Sequence, residues 1–168
     1  MSVQPLPLFL VCEDGDEYTQ RFQRFLGHDF RFLRVPNGQQ AEAAIERNRP
    51  VGLLVDLDFG RLPPSDLLGE HGHPSQSPTA EQRTRWSASQ GILILQYVRL
   101  RDLRVPALLF ADLDDREQAA YLERTLAPLA IVSSREGLRQ LAKRLRAMAS
   151  GGSATAGGRL VPPTAAGR

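Results

Sequence analysis

Apolar and polar residues are arranged along this chain in blocks. Leu8-Phe9-Leu10-Val11-Cys12 is a continuous apolar run that stops at Glu13-Asp14-Gly15-Asp16. Five apolar residues before a turn signal predict a strand buried on both faces, because a half-buried strand would alternate. Tyr18, Phe22, Phe25 and Leu26 then recur at helical spacing as an inward face, with Gly27 as the stop. Phe30 to Val35 predicts a second, shorter strand, closed by Pro36-Asn37-Gly38. Gln39 to Arg49 predicts a helix with Ala41, Ala44 and Ile45 inward, ended by Pro50. Val51 to Val55 predicts a third strand, running into Asp56-Leu57-Asp58.

Residues 60–90 break this rhythm with Pro63-Pro64, Pro74, Pro78, several serines and His71-Gly72-His73. A loop beyond about 12–15 residues is unusual in a compact domain and is read as functional or disordered. Within it, short helices are expected at Ser65–Leu68 and Thr79–Trp86. The rhythm resumes with a helix from Gly91 to Arg101, its Leu93, Ile94, Tyr97 and Val98 clustered. A fourth strand follows at Pro106–Phe110, a helix at Asp114–Leu126 and a fifth strand at Leu129–Val132. The last helix runs from Glu136 to Met148 with Leu138, Leu141, Ala142 and Leu145 inward.

Strand and helix alternate five times, which requires parallel strands, right-handed crossovers and helices on both faces. Residues 1–149 are therefore expected as one α/β domain with residues 60–90 as an insertion. Residues 150–168, rich in Gly, Ala and Pro, are expected as a disordered tail.

Composition narrows the classes. Of 21 basic residues, Arg159 and Arg168 lie in the tail, leaving 19 in the body against 19 acids. A neutral body argues against a nucleic-acid partner, which wants a concentrated basic face. The single cysteine, Cys12, excludes an internal disulfide and fits a reducing cytoplasm. No apolar run approaches the ~18 residues that span a bilayer, so no membrane partner is expected. Lys143 is the only lysine, so chemistry that needs an ammonium has one candidate.

The candidate chemistry is acidic. In an open parallel sheet, ligands bind at the carboxyl ends of the strands, where strand order reverses. With order 2-1-3-4-5, strands 1 and 3 are neighbours, so Glu13 and Asp14 meet Asp56 and Asp58 at one edge. Crowded carboxylates repel unless a cation sits among them, and two or three carboxylates with waters suit Mg²⁺. The alternative is that these acids only solvate strand ends.

Phe9-Leu-Val-Cys-Glu13-Asp14, the aromatic-studded first helix, Val35-Pro-Asn-Gly-Gln-Gln-Ala41, Pro50-Val-Gly-Leu-Leu-Val-Asp56-Leu and Val105-Pro106-Ala-Leu-Leu-Phe together resemble the receiver domain of bacterial response regulators. The resemblance covers about residues 7–149 and rests on order and spacing rather than on any one motif. It implies a flavodoxin-like (βα)5 fold with Asp56 as phosphoacceptor. Glu13 and Asp14 would be the metal-binding acid pair, and Asp58 would offer its backbone carbonyl to Mg²⁺. A histidine kinase or other signalling protein would be the partner. The implied mechanism moves a phosphoryl group to Asp56, with Mg²⁺ neutralising charge.

The chain departs from that family in the switch. The family's hydroxyl after strand 4 is Ala111, its lysine after strand 5 falls at Ser133 or Ser134, and its aromatic on strand 5 falls at Ala130 or Ile131. Arg135 could supply a nearby cation, but a planar fork does not replace a point charge. Two readings therefore stand: a phosphorylatable receiver that transmits its state by other means, and a pseudo-receiver that binds partners without phosphorylation. A third treats Asp56-Leu57-Asp58 as resembling the Asp-x-Asp strand end of haloacid-dehalogenase-type phosphatases, with Asp56 as nucleophile and Asp58 as acid/base. Asp112, Asp114 and Asp115 could be that family's later acidic motif. The family puts the Asp-x-Asp motif on its first core strand, where here two strand–helix units precede it. It also wants a lysine before the late acids, where here there is none.

Other features weigh less. Glu70-His71-Gly72-His73 is short of the four ligands of structural zinc. Trp86 either pins the insertion or serves as an exposed anchor. Arg135, Arg139, Lys143, Arg144 and Arg146 make the last helix either a solvated face or, by the resemblance, part of a homodimer surface of helix 4, strand 5 and helix 5. The insertion leaves the sheet at the acidic edge and is expected to form a lid over it.

Overall fold

The computed structural model describes residues 4–151; the expected tail from 152 onward lies outside them. Strands β1 (Leu8–Cys12), β2 (Arg31–Val35), β3 (Gly52–Asp56), β4 (Ala107–Phe110) and β5 (Leu129–Val132) form one sheet in the order β2-β1-β3-β4-β5. Every pairing is parallel, with Cys12 opposite both Val35 and Val55, and Asp56 opposite Phe110. This is the flavodoxin-like α/β architecture. The three central strands are buried along nearly their whole length, as unbroken apolar runs require.

Helices cover both faces. On one face α1 (Glu17–Leu26) and α6 (Leu138–Ala149) pack Phe22, Leu141 and Leu145 onto Phe9, Val11, Leu54 and Leu108. On the other, α2 (Gly38–Asn48), α4 (Gln90–Leu100) and α5 (Arg116–Thr125) bury Ile45, Ile94, Val98 and Leu122 against Leu10, Leu53 and Leu109. Helix starts follow their caps: Asn37 accepts from the Gln40 amide at 2.8 Å, and Asp115 accepts from the Glu117 and Gln118 amides. The Asp115 cap moves the start of α5 two residues past the Asp114 read from the sequence. Phe25, expected inward, is 49% exposed. Phe22 and Leu26 already fill the buried line of α1 one turn apart, and Phe25 lies beside it under the Arg24 guanidinium.

The insertion is ordered and extends the core on the α2–α4 face. It contains two 3₁₀ turns, Pro64–Asp66 and Glu70–Gly72, and α3 (Ala80–Ser87), started by a Thr79–Gln82 capping box. Phe59, Leu67, Leu68 and Trp86 join the α2–α4 core. Gln90, fully buried, ties the segment down: its amide exchanges hydrogen bonds with the Leu68 backbone at 2.8 and 3.1 Å and donates to the Trp86 carbonyl. Trp86 lies over Gly69, where a Cβ would stand 3.2 Å from the ring. It pins the insertion rather than standing exposed. The lid expectation needs correction: the bulk of the segment lies on the α2–α4 face, where Gly72 abuts the α4 backbone, and only its first turn reaches the acidic edge.

The crossover after α4 depends on one buried cation. Arg99 donates to the carbonyls of Leu103, Val105, Leu126 and Pro128 at 2.6 to 3.0 Å, with no carboxylate near. Burial lowers its pKa to about 10, still protonated at neutral pH. Its fork ties the segment before β4 to the segment before β5. Arg99→Met leaves four carbonyls without that donor and should cost about 3 kcal/mol or more in urea unfolding. Arg99→Lys should recover only part of the loss, because an ammonium does not reproduce the planar fork.

Candidate functional site

The carboxyl ends of β1 and β3 meet at the edge where the chain turns outward from β1 in both directions. The β1–α1 loop is held from β2: Arg34 donates through Nη2 to the Asp14 carbonyl at 2.6 Å and through Nε to the Gly15 carbonyl. Glu13 is 1% exposed, and both its oxygens are engaged. It accepts from the Tyr18 amide at 3.0 Å, and from the Thr19 amide and hydroxyl at 2.8 and 2.7 Å. Asp16, at the N-cap of α1, makes no capping bond, so Glu13 neutralises the orphan amides of the helix start. Three donors hold Glu13 as a capping group.

Asp14, Asp56 and Asp58 share a pocket of about 310 Å³ with Tyr18, Gly60 and Arg61. Asp14 accepts from the Arg61 amide at 2.6 Å, and Asp56 from the Leu57 amide at 2.9 Å. Each keeps a second oxygen without a hydrogen-bond partner among the described residues. Burial, together with the charges of Asp14, Glu13 and Asp58, raises the Asp56 pKa to about 6 against the opposing amide bond. Gly91, at the start of α4, makes the approach possible: its amide donates to the Leu57 carbonyl, and a Cβ there would stand 2.0 Å from the Asp56 carbonyl. Tyr18 stacks on Phe110 with centroids 5.2 Å apart, and burial plus the nearby Asp56 charge raise its hydroxyl pKa.

At the ends of β4 and β5 the side chains are small. Ala111 is buried, its amide bonded to the Val132 carbonyl at 2.9 Å, and Ala130 is buried among Leu141, Leu145 and Phe110. Ser133 and Ser134 turn to Asp112, whose carboxylate accepts both hydroxyls, at 2.6 Å from Ser133. These bonds lower the Asp112 pKa. Lys143 is exposed on α6, outside the acidic pocket, and Arg144 and Arg146 on that helix pair with Glu136 and Asp29.

Two residues of this region carry no signal in the sequence: Arg61 is hidden in the insertion, and Tyr18 looks like ordinary helix core. Asp112, read there as part of a late acidic motif, is instead bonded to Ser133 and Ser134. A cue for Arg61 was its distance, five residues past a strand-end aspartate.

Mg²⁺ is the cation the receiver resemblance implies. Among the described residues no group of three or more His, Cys, Asp or Glu side chains is arranged to hold a metal, the His71–His73 segment included. The donor chemistry nevertheless fits a hard ion in kind. Asp14 and Asp56 each have a free oxygen on one pocket, and waters would complete the shell. Glu13, already saturated, would act only through its charge.

No family model matches the chain, and no curated protein matches it in sequence. Solved structures do match it in shape. The receiver domain of the Francisella response regulator 1452 superposes with a TM-score of 0.60 at 15% identity, over 86% of this chain and 97% of its own. The BeF3-activated N-terminal receiver domain of Klebsiella pneumoniae RstA gives 0.55 at 20% identity, over 83% and 95%. The chemotaxis protein CheY4 of Vibrio cholerae gives 0.58 at 13%, over 86% and 99%. At such identities the likeness establishes the fold alone: it is the fold that receiver domains have, with the insertion added after β3. Among the described residues no helix is long and apolar enough to cross a membrane.

The raised Asp56 pKa has a measurable consequence. Between the ordinary value of 3.8 and about 6, the folded chain binds more protons at this group than the unfolded chain. Its contribution to stability is therefore present at low pH and lost as pH rises through that window. Asp56→Asn removes the ionising group without changing its shape. The variant should be more stable than wild type at pH 7, by about 1 kcal/mol after solvent screening, and equal to it near pH 3.5. Thermal unfolding across pH 3.5–8 measures the difference, and added Mg²⁺ should reduce it.

Proposed function

We propose that the chain is a receiver-type signalling domain in which Asp56 accepts a phosphoryl group, and which acts through protein partners rather than as an enzyme. The observation that supports this is the Asp56 carboxyl itself. It stands at the end of the central strand, free at one oxygen, in an acidic pocket that a cation would relieve. The phosphatase alternative gains nothing: Asp56 lies on the third strand in chain order, not the first, and the only lysine lies outside the pocket.

The step is an attack by the free Asp56 oxygen on phosphorus. The bond from phosphorus to the donor's leaving group breaks, and an acyl phosphate forms on Asp56. From a histidine kinase the leaving group is imidazole; from a small acyl phosphate it is a carboxylate. Mg²⁺ when bound would supply charge neutralisation, with Asp14 and Asp56 as its side-chain ligands. The protein's own contribution is positioning. Leu57 fixes one Asp56 oxygen and so directs the other outward, Arg34 holds the loop that carries Asp14, and Gly91 keeps α4 clear of the strand end.

Ala111, Ser133 and Ala130 supply no hydroxyl, cation or ring to read the new phosphate as the family's switch does. Ser133 is also committed to Asp112. The domain is therefore an atypical receiver, its signal carried by a different element.

Incubation of the full chain with acetyl phosphate and Mg²⁺ should add one phosphoryl group by intact mass, and Asp56→Asn should add none. Absence of any adduct on wild type, with no Mg²⁺ binding by titration, would leave a pseudo-receiver that binds partners without phosphorylation.

A further inference from the structure

Among the described residues Arg61 is the only cation lining the pocket that holds Asp56. It belongs to the insertion, at the third position of a turn, Phe59 to Leu62, closed by the Leu62 amide on the Phe59 carbonyl at 3.5 Å. Before the turn, Phe59 is fully buried with its amide on the Ser87 carbonyl at 2.9 Å, so that end is fixed. On the acidic side the turn has two attachments. The Arg61 amide donates to Asp14 at 2.6 Å, and its guanidinium pairs with Glu17. The guanidinium lies over Gly15, where a Cβ would stand 2.5 Å from Nη1. Both partners are carboxylates that line the acceptor pocket, Glu17 at its exposed rim.

We propose that Arg61 is the phosphoryl-binding cation of this domain, and that its exchange from Glu17 to phosphorylated Asp56 moves the Phe59–Leu62 turn and carries the signal into the insertion. The proposal rests on Asp56 being the acceptor and says which residue reads its state. Phosphorylation replaces the single Asp56 carboxylate charge with a phosphoryl group of about −2, and adds phosphoryl oxygens, in a pocket whose one guanidinium is otherwise held by a solvent-screened pair. A guanidinium to a phosphoryl oxygen forms the stronger, charge-assisted bond, and its fork can engage two oxygens at once. The moving turn has a readable far side. Asp58, Gly60 and Leu62 face α3 across a groove of about 450 Å³ whose opposite wall includes Arg83, Thr84 and Ser87. A shift at Arg61 therefore reshapes a surface built by the insertion, away from β5 and α6.

The test uses the full chain with acetyl phosphate and Mg²⁺, comparing wild type, Arg61→Ala, Arg61→Lys and Glu17→Gln. Two readouts are taken: phosphorylation rate and adduct lifetime by intact mass, and amide hydrogen exchange over residues 59–69. Arg61→Ala should slow phosphorylation or shorten the lifetime about tenfold, the size of one charge-assisted hydrogen bond. Arg61→Lys should restore part of the effect, and Glu17→Gln, which frees the guanidinium, should not slow the reaction. On phosphorylation, exchange at residues 59–69 should change in wild type and stay unchanged in Arg61→Ala. An adduct that forms and decays equally in wild type and Arg61→Ala, with the same exchange change, overturns the role of Arg61 while leaving Asp56 as acceptor. Wild type with no adduct overturns the acceptor reading, and this inference falls with it.

Discussion

Like charge crowded at the edge of two adjacent parallel strands is the constraint to which the rest of this molecule answers. Parallel pairing of β1 with β3, Cys12 opposite Val55, brings the acids that follow each strand together. Water alone cannot screen Glu13, which is buried. The chain meets the problem with backbone and side-chain donors: the first turn of α1 for Glu13, the Arg61 amide for Asp14 and the Leu57 amide for Asp56. Asp14 and Asp56 each keep an oxygen without such a donor among the described residues, and burial with the remaining repulsion raises the Asp56 pKa to about 6.

The neighbouring strand ends are built differently: β4 and β5 carry two buried alanines there, and the serine after β5 is turned to Asp112. The loops after β4 and β5 are thereby joined to one another through a carboxylate rather than left open to a phosphate. Tyr18, Phe22 and Phe110 pack their rings together beneath the α1 face.

The sequence made the sheet and its order legible because fully buried parallel strands appear as unbroken apolar runs, and β1 and β5 fall where those runs lie. The acidic edge was equally legible, since strand ends and strand order together place side chains. Glu13 shows where such reading stops. An acid after a strand looks the same whether it faces a cleft or folds back onto the next helix, and only the loop geometry set by Arg34 decides between them. The insertion shows a second limit. Its prolines and serines look like a solvated loop, yet four apolar residues dispersed among them, Phe59, Leu67, Leu68 and Trp86, suffice to seat it. Dispersed anchors have no period, and their common destination on α2 and α4 is a tertiary property.

The docked insertion also changes what the α2–α4 side of the molecule is. Leu68 and Gly72 occupy ground over Gly38 and Tyr97 that would otherwise be open to a separate chain. The segment is thus a tethered ligand for its own domain, at an effective concentration on the millimolar scale set by its length. An outside binder for that side must displace a competitor that never diffuses away. Conversely, trimming the chain to its five repeats would not yield a smaller version of the same protein. It would uncover Leu93 and Tyr97 as an adhesive patch, and self-association would replace the contact that the insertion now keeps internal.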